Sequence, residues 1–256
     1  MATAVRIELD AAAPDAVDGR QIRAVAFEQV RMEYVQRTLD RVGFAPGGAS
    51  ALVVGGGRGV LPRTLAGLGF DVVAVDPSAT TTRIAQDVAR RDGLAIVHRT
   101  APAEQPDAEA GAFDLVYCAD TFEITEDLER VIEQAARALK PGGLLIYDTV
   151  NRSLLSRLVY LGAFQSLPMT RIMPAGRYAA GRLRKPAELA QVLDRHGLHS
   201  QEVCGFKPAN PRGLIKAVLL RRRGKITDEE GAALAGFVLD PGHTPVTYLG
   251  YATKRL

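Results

Sequence analysis

A cluster of glycines and one later aspartate are the residues whose types and spacing best fit a ligand site. Gly55, Gly56, Gly57 and Gly59 directly follow the apolar run SALVV, and Asp76 closes the next apolar run, DVVAVD. Glycine lets the backbone approach a ligand closely and adopt positive φ. A carboxylate at the end of a second strand can accept hydrogen bonds from both hydroxyls of a ribose. The combination predicts a nucleoside site.

The elements that must position these residues alternate regularly along the chain. Short β-branched runs, ending with LLIYDTV, are separated by helical stretches such as VLPRTLAGLG and TEDLERVIEQAARALK. Parallel strands need crossovers of this length, so the alternation predicts a doubly wound α/β sheet. Ligands of such sheets bind at the carboxyl ends of the strands, which is where the glycines and Asp76 fall.

The charge, the cysteine content and the distribution of apolar residues limit the classes of function that fit this chain. The 32 Lys and Arg residues exceed the 29 Asp and Glu residues only slightly, giving a net charge of +3, and this small excess argues against a nucleic-acid partner. Cys118 and Cys204 are too few for a disulfide framework. No signal peptide and no run of about 18 apolar residues is found. We therefore expect a cytoplasmic protein.

Two classes of nucleoside ligand fit the glycine cluster. Dinucleotides are recognised by the pattern G-x-G-x-x-G, whose third glycine lets a helix pack under a pyrophosphate. Counted from Gly55, this chain has Val60 at the third glycine. The pattern therefore favours S-adenosylmethionine, with a nicotinamide-dependent oxidoreductase as the alternative.

The remaining motifs extend this comparison. Phe113–Asp120 reads FDLVYCAD and is followed by a helix and then LKPGG, while TVNRS, RIMPAGRY and RKPAEL occur further along. With these motifs the chain resembles class I S-adenosylmethionine-dependent methyltransferases, and within them the ubiquinone-biosynthesis O-methyltransferase family. The resemblance implies a seven-stranded, mostly parallel sheet with a reversed C-terminal hairpin and a helical lid insertion.

The segments follow from that architecture. We predict an N-terminal arm and helices (1–45), an S-adenosylmethionine-binding core (46–150), a lid or substrate insertion (151–185), and the C-terminal part of the sheet with a helical insertion (186–256). Residues 1 to about 20 are predicted as a loose arm, and TDEEGAALAGFVL as helix.

The resemblance also implies a cofactor site. Three glycines would line the methionine portion, Asp76 would hold the ribose, and two residues after the third strand would border the adenine. The full set of implied cofactor-binding residues is Gly55, Gly56, Gly57, Gly59, Asp76, Pro77, Thr100, Ala101, Cys118 and Ala119.

Two departures from the family bear on catalysis. The family usually has an acid two residues before the first glycine, where this chain has Val53. The ubiquinone enzymes carry a Glu-x-x-Glu-His array that binds a divalent metal and supplies a base, and here Asp120 and Glu123 stand at the acids but Ile124 stands at the histidine. We take Asp120 and Glu123 as the candidate catalytic residues and expect no divalent metal.

The expected activity is methyl transfer from S-adenosylmethionine to the oxygen of a phenolic or quinol-like small molecule. One alternative is a homologue that binds S-adenosylmethionine without transferring methyl, such as a cyclase or a binding module. The apolar, arginine-containing segment 153–185 suits packing on the sheet, or a peripheral membrane contact that collects an apolar quinol.

Overall fold

A computed structural model describes residues 6–11, 13 and 16–256. The described chain is built on one eight-stranded sheet with strand order β3-β2-β1-β4-β5-β8-β6-β7. The strands are β1 Ser50–Val54, β2 Asp71–Asp76, β3 Val97–Thr100, β4 Phe113–Cys118, β5 Leu139–Val150, β6 Leu198–Pro208, β7 Phe237–Pro241 and β8 Thr247–Lys254. The α-helices are α1 Gly19–Val42, α2 Val60–Gly67, α3 Ala79–Arg91, α4 Leu128–Ala138, α5 Leu154–Ser156, α6 Pro186–Arg195, α7 Pro211–Arg222 and α8 Asp228–Ala235.

The sheet has helices on both faces, as the alternating pattern predicts. Strands β1 to β5 pair in parallel. Successive side chains of a strand point to opposite faces, and β1 shows the result. Leu52 and Val54 pack into a core with α4 and α6, whereas Ala51 and Val53 pack into a second core with α1 and α2. The predicted doubly wound α/β fold is confirmed.

The sheet has eight strands rather than the predicted seven. The extra strand, β7, pairs antiparallel with β6 at the edge of the sheet and lies partly in the stretch predicted as helix. Gly236 ends α8, and the Phe237 ring then packs edge-on against Phe27 of α1 at 4.8 Å. This tertiary contact and the free edge of β6 favour a strand where the local sequence favours a helix.

The last strand is inserted into the middle of the sheet. β8 runs antiparallel to both of its neighbours, pairing Ile146 of β5 with Tyr251 and Val203 of β6 with Gly250. It is therefore the strand that joins β6 and β7 to the parallel half of the sheet.

The segment before α1 is packed, so the prediction of a loose arm is wrong for its described residues; residues 1–5, 12, 14 and 15 lie outside the described part. Val17 is buried and forms a bridge with Ile7. The Asp18 carboxylate caps α1 by accepting hydrogen bonds from the backbone N–H groups of Arg20 (2.9 Å) and Gln21 (3.3 Å). The arm thus leads directly into the helix that covers the glycine turn.

The segment after β5 contains only short helical pieces. α5 continues into a π-helical segment, Arg157–Ala163, and a single 3₁₀ turn follows at Ala180–Arg182. Tyr160 and Met173 are buried in a third apolar cluster with Val17. None of the described helices has the length and apolar character needed to span a membrane.

Candidate active site

A tight turn links β1 to α2. Gly55 has φ +83° and Gly57 has φ +53°, values that other residues rarely adopt. A Cβ at Gly55 would lie 2.4 Å from the carbonyl oxygen of Ala119, whereas a Cβ at Gly57 would meet only Nη2 of Arg20, at 4.0 Å. The turn therefore presents bare backbone to the space above the ends of β1 and β4.

Asp76 ends the neighbouring strand β2 and faces this turn. Its carboxylate accepts hydrogen bonds from the backbone N–H groups of Gly57 (2.9 Å) and Ser78 (3.0 Å) and from the Thr81 hydroxyl (2.9 Å). Burial raises the pKa of Asp76, but the Arg20 guanidinium and the backbone donors outweigh burial and lower the pKa below its usual range. Asp76 is thus a fixed, charged hydrogen-bond acceptor.

Arg20, in the first turn of α1, lies on this carboxylate. Its Nη2 is 2.5 Å from Oδ2 of Asp76 and its Nη1 is 3.4 Å from Oδ1. Nη1 also donates to Asp10 at 2.7 Å. The side that Asp76 turns toward the cavities is therefore occupied by a side chain of the same protein.

Two cavities meet at this point. The smaller, about 30 Å³, lies between the glycine turn and α1 and is lined by Gly55, Arg31 and Asp120, among others. The larger, about 180 Å³, extends from Gly55 past Pro77 to Arg177. Together they form the concave region in which a nucleoside at Asp76 would lie.

The predicted cofactor residues fall into two groups around these cavities. Those that line one or both cavities are Gly55, Gly56, Gly57, Pro77, Ala101 and Ala119. Asp76 is not among the lining residues of either cavity, but its partner Arg20 lines both. Gly59, Thr100 and Cys118 are not among the lining residues: Gly59 precedes α2, Thr100 pairs with Asp76 in the sheet, and Cys118 is in the core.

Asp120 lines both cavities and is paired with two arginines of α1. Its carboxylate oxygens lie 2.5 Å from Arg23 and 2.8 Å from Arg31. Asp120 has a positive φ of 48°, which directs the chain sharply away from β4. Burial raises the pKa of Asp120, but the two guanidinium groups outweigh burial and hold the pKa well below its usual range.

Glu123 and Asp148 complete a buried charge cluster. Glu123 is fully buried, contacts Arg23 at 3.0 Å and accepts a hydrogen bond from the Thr149 hydroxyl at 3.1 Å. Asp148, on β5, lies 2.7 Å from Arg31. Burial raises the pKa of both acids, for Asp148 to about 7. Three carboxyl groups thus share two guanidinium groups.

Comparison with known proteins identifies the family to which the chain belongs. A family model described as a methyltransferase domain matches residues 26–203. A ubiquinone biosynthesis O-methyltransferase from Xanthomonas axonopodis pv. citri is 35% identical over 191 residues, covering 74% of this chain and 77% of that protein. The chain belongs to the methyltransferase family. The same enzyme from Methylococcus capsulatus is 30% identical over 194 residues, covering 75% of this methyltransferase and 79% of that protein.

Solved structures share the fold of this methyltransferase. Magnesium protoporphyrin IX methyltransferase from Synechocystis PCC 6803, with bound S-adenosylhomocysteine (SAH), superposes with a TM-score of 0.59 at 18% identity, covering 91% of this chain and 86% of that one. An S-adenosylmethionine-dependent methyltransferase from Aquifex aeolicus has a TM-score of 0.58 at 14% identity, covering 92% and 98%.

These findings decide between the ligand classes. The methyltransferase is S-adenosylmethionine-dependent, and the nicotinamide-dependent alternative is not supported. The divalent metal of the ubiquinone enzymes does not fit these residues, because Asp120 and Glu123 are paired with Arg23 and Ile124 replaces the histidine. Within the part of the chain that the structure describes, no group of three or more His, Cys, Asp or Glu side chains is arranged to hold a metal ion.

Three arginines of the candidate site were not among the residues predicted from the sequence. Arg20, Arg23 and Arg31 lie on α1 with Phe27 between them, at the three- and four-residue spacing of one helix face. Arg23 and Arg31 are buried. A charged residue at an otherwise apolar, buried position of a helix requires a partner of opposite charge, so this spacing was the available signal.

A third cavity is apolar and has a volume of about 320 Å³. Its walls come from α1, the segment after β5, the end of β6 and β7, and they include Phe27, Val159 and Tyr160. Arg23 lies over the rings of Phe27 (5.4 Å) and Tyr160 (5.0 Å) while it also binds Asp120. Arg23 therefore contacts both Asp120, which lines the first two cavities, and two aromatic residues in the wall of the third.

Proposed function

We propose that this methyltransferase methylates an oxygen of a phenolic or quinol-like small molecule. The observation that carries the proposal is an apolar cavity whose wall residues Phe27 and Tyr160 contact Arg23, the partner of Asp120. The relatives named as ubiquinone biosynthesis O-methyltransferases support it.

The cavity suits an aromatic ring with an apolar substituent. Its volume of about 320 Å³ is roughly twice that of an engineered 150 Å³ apolar cavity that binds benzene. Its lining is almost entirely apolar, with Lys207 as the charged exception. Such a site recognises its ligand by shape and apolar contact, and leaves the ligand's hydroxyl to be recognised at the charged end beside Arg23.

The charge cluster suits the reacting end of a phenol. S-adenosylmethionine supplies a methyl group on a carbon already activated for displacement, so the protein must chiefly align the acceptor oxygen and assist loss of its proton. A phenol has a pKa near ~10, and a neighbouring cation favours its ionised form. Arg23 supplies that cation and Glu123 holds it in place, while Asp120 lines the two cavities beside the glycine turn, from which it can accept a hydrogen bond from a hydroxyl that reaches past Arg23.

The test is methyl transfer from labelled S-adenosylmethionine to a panel of phenols and catechols that carry apolar substituents of increasing length. Val159→Trp places a bulky ring in the cavity, and Leu158→Trp on the same helix, at a site 67% exposed, is the matched control. We expect Val159→Trp to raise KM for the substituted acceptors at least tenfold with SAH affinity unchanged, and Leu158→Trp to behave as wild type. Absence of transfer to every phenol, or equal KM in the two variants, would reject the proposal.

We also propose that the protein is cytoplasmic and that it contacts the membrane surface through residues 153–185. Leu154, Leu158 and Met169 are 84%, 67% and 71% exposed; Arg157 lies between the two leucines in sequence, and Arg171 lies two residues after Met169. Exposed apolar side chains with nearby arginines are typical of segments that bind an anionic bilayer surface. Co-sedimentation with anionic vesicles that is unaffected by Leu154→Ser with Leu158→Ser would contradict this contact.

A further inference from the structure

The contact between Arg20 and Asp76 places a guanidinium where the nucleoside sugar has to bind. A ribose is recognised by a carboxylate that accepts its hydroxyl groups. Both oxygens of Asp76 already accept from Arg20, at 2.5 and 3.4 Å. The other donors to Asp76 are Gly57 in the glycine turn and Ser78 and Thr81 at the start of α3, and they hold the carboxylate in position. The positions taken by Arg20 are therefore those that face the cavities.

Arg20 is held there by the segment before α1. Its Nη1 donates to Asp10 at 2.7 Å. Arg58, in the glycine turn, donates to the Asp18 carboxylate at 2.9 Å and to the carbonyl of Ala11 at 2.7 Å. The described arm is thus tied across the glycine turn by ion pairs and hydrogen bonds.

The space that remains agrees with this arrangement. The cavity between the turn and α1 has a volume of about 30 Å³ and is lined by both Asp10 and Arg20. A cavity of that volume holds a few water molecules at most. A ribose can therefore reach the Asp76 side of this cavity only if Arg20 moves.

We propose that Arg20 is an internal competitor for the cofactor. In the closed conformer its guanidinium occupies the ribose-binding side of Asp76, and the cofactor binds to the conformer in which Arg20 has left Asp76 and remains paired with Asp10. The Nη1 contact with Asp10 already exists, so the exchange needs a swing of one side chain and a shift of the arm. The apparent affinity is reduced by the fraction of molecules in the open conformer.

The charge of Arg20 makes the competition independent of pH in the working range. Burial lowers the pKa of Arg20, but Asp76 and Asp10 outweigh burial and raise it above its ordinary value. The guanidinium is therefore always charged, and Asp76, whose pKa is lowered, remains its partner until acid pH.

The test is calorimetric titration of SAH into the full chain, and SAH as the ligand makes the result independent of the acceptor proposed above. Arg20→Met removes the guanidinium and keeps the aliphatic stem. An open conformer populated at about 10% or less predicts that Arg20→Met tightens SAH binding about tenfold or more. Arg37→Met, at a partly exposed position near the other end of α1, should bind as wild type.

Asp10→Asn separates competition from a structural role. It removes the alternative partner of Arg20, so it should weaken SAH binding in the wild-type background and have no effect in the Arg20→Met background. Arg20→Lys cannot make the bidentate contact of a guanidinium, so it should give an intermediate SAH affinity. It replaces Arg20→Met in the test if Arg20→Met does not unfold cooperatively. Equal or weaker SAH binding by a folded Arg20 variant, or an equal effect of Asp10→Asn in both backgrounds, would overturn the proposal.

Discussion

Replacing Arg31 by methionine tests the buried charge cluster most directly. The Arg31 side chain is 2% exposed and lies 2.8 Å from Asp120 and 2.7 Å from Asp148. Removing one partner of a buried ion pair costs about 3 to 5 kcal/mol, because a buried charge is left uncompensated. Asp120 retains Arg23, so the uncompensated group is Asp148. We expect Arg31→Met to lower the free energy of unfolding by about 3 to 5 kcal/mol at pH 8.

The free energy of unfolding lost in Arg31→Met should be smaller at pH 6 than at pH 8, because Asp148 titrates between these two values. Its pKa is raised to about 7 from an ordinary value of 3.8, so the stability that protonated Asp148 contributes is lost as pH rises through 7. One pH unit in this regime corresponds to about 1.4 kcal/mol. Between pH 6 and pH 8 the free energy of unfolding of the wild type therefore falls by roughly this amount. Without Arg31 the pKa of Asp148 rises further, so the free energy of unfolding of the variant falls by up to twice that amount over the same pH range. The cost of Arg31→Met should therefore be about 1 kcal/mol larger at pH 8 than at pH 6.

Urea unfolding at both pH values, followed by circular dichroism, measures these quantities. Arg37→Met is the matched control on the same helix, because Arg37 is 32% exposed and its pair with Glu202 is accessible to solvent; such pairs contribute about 1 kcal/mol or less. Adding Asp148→Asn to Arg31→Met should recover most of the loss at pH 8. The reasoning is refuted if Arg31→Met costs no more than Arg37→Met, or if its cost is the same at pH 6 and pH 8.

Two further predictions concern the ligand and the metal. Asp76→Ala, made in the Arg20→Met background so that no competing side chain is present, should weaken SAH binding by about 1.5 to 3 kcal/mol, the scale of hydrogen bonds to a charged group; unchanged calorimetric affinity in a folded protein would exclude Asp76 as the ribose acceptor. Methyl transfer should persist in EDTA, because Arg23 is paired with both Asp120 and Glu123 and Ile124 offers no ligand; loss of activity that magnesium restores would contradict this.

The parts of the fold that follow from local sequence could be predicted. The β-branched runs, their spacing and the glycines at the end of β1 are determined by propensity and backbone geometry, which act over a few residues. Strand β7 could not be predicted in this way, because it depends on the free edge of β6 and on the ring of Phe27. Phe27 lies more than 200 residues before β7 along the chain.

The same distinction applies to the site. Asp76 could be placed because a carboxylate at the end of β2 must lie beside the turn that follows β1. The contacts of Arg20, Arg23 and Arg31 could not, since they depend on how α1 crosses the sheet. Asp120 was predicted from its motif, but its motif does not reveal that two guanidinium groups neutralise it and lower its pKa.

The central position of β8 has a consequence for the order in which the chain can fold during synthesis. The parallel half of the sheet is translated first, and β6 and β7 can pair with each other but cannot join that half until residues 247–254 have left the ribosome. Until then the growing chain carries an unsatisfied β5 edge, which can pair with other chains. Nascent chains stalled just before residue 247 should therefore be the species that most needs chaperone protection.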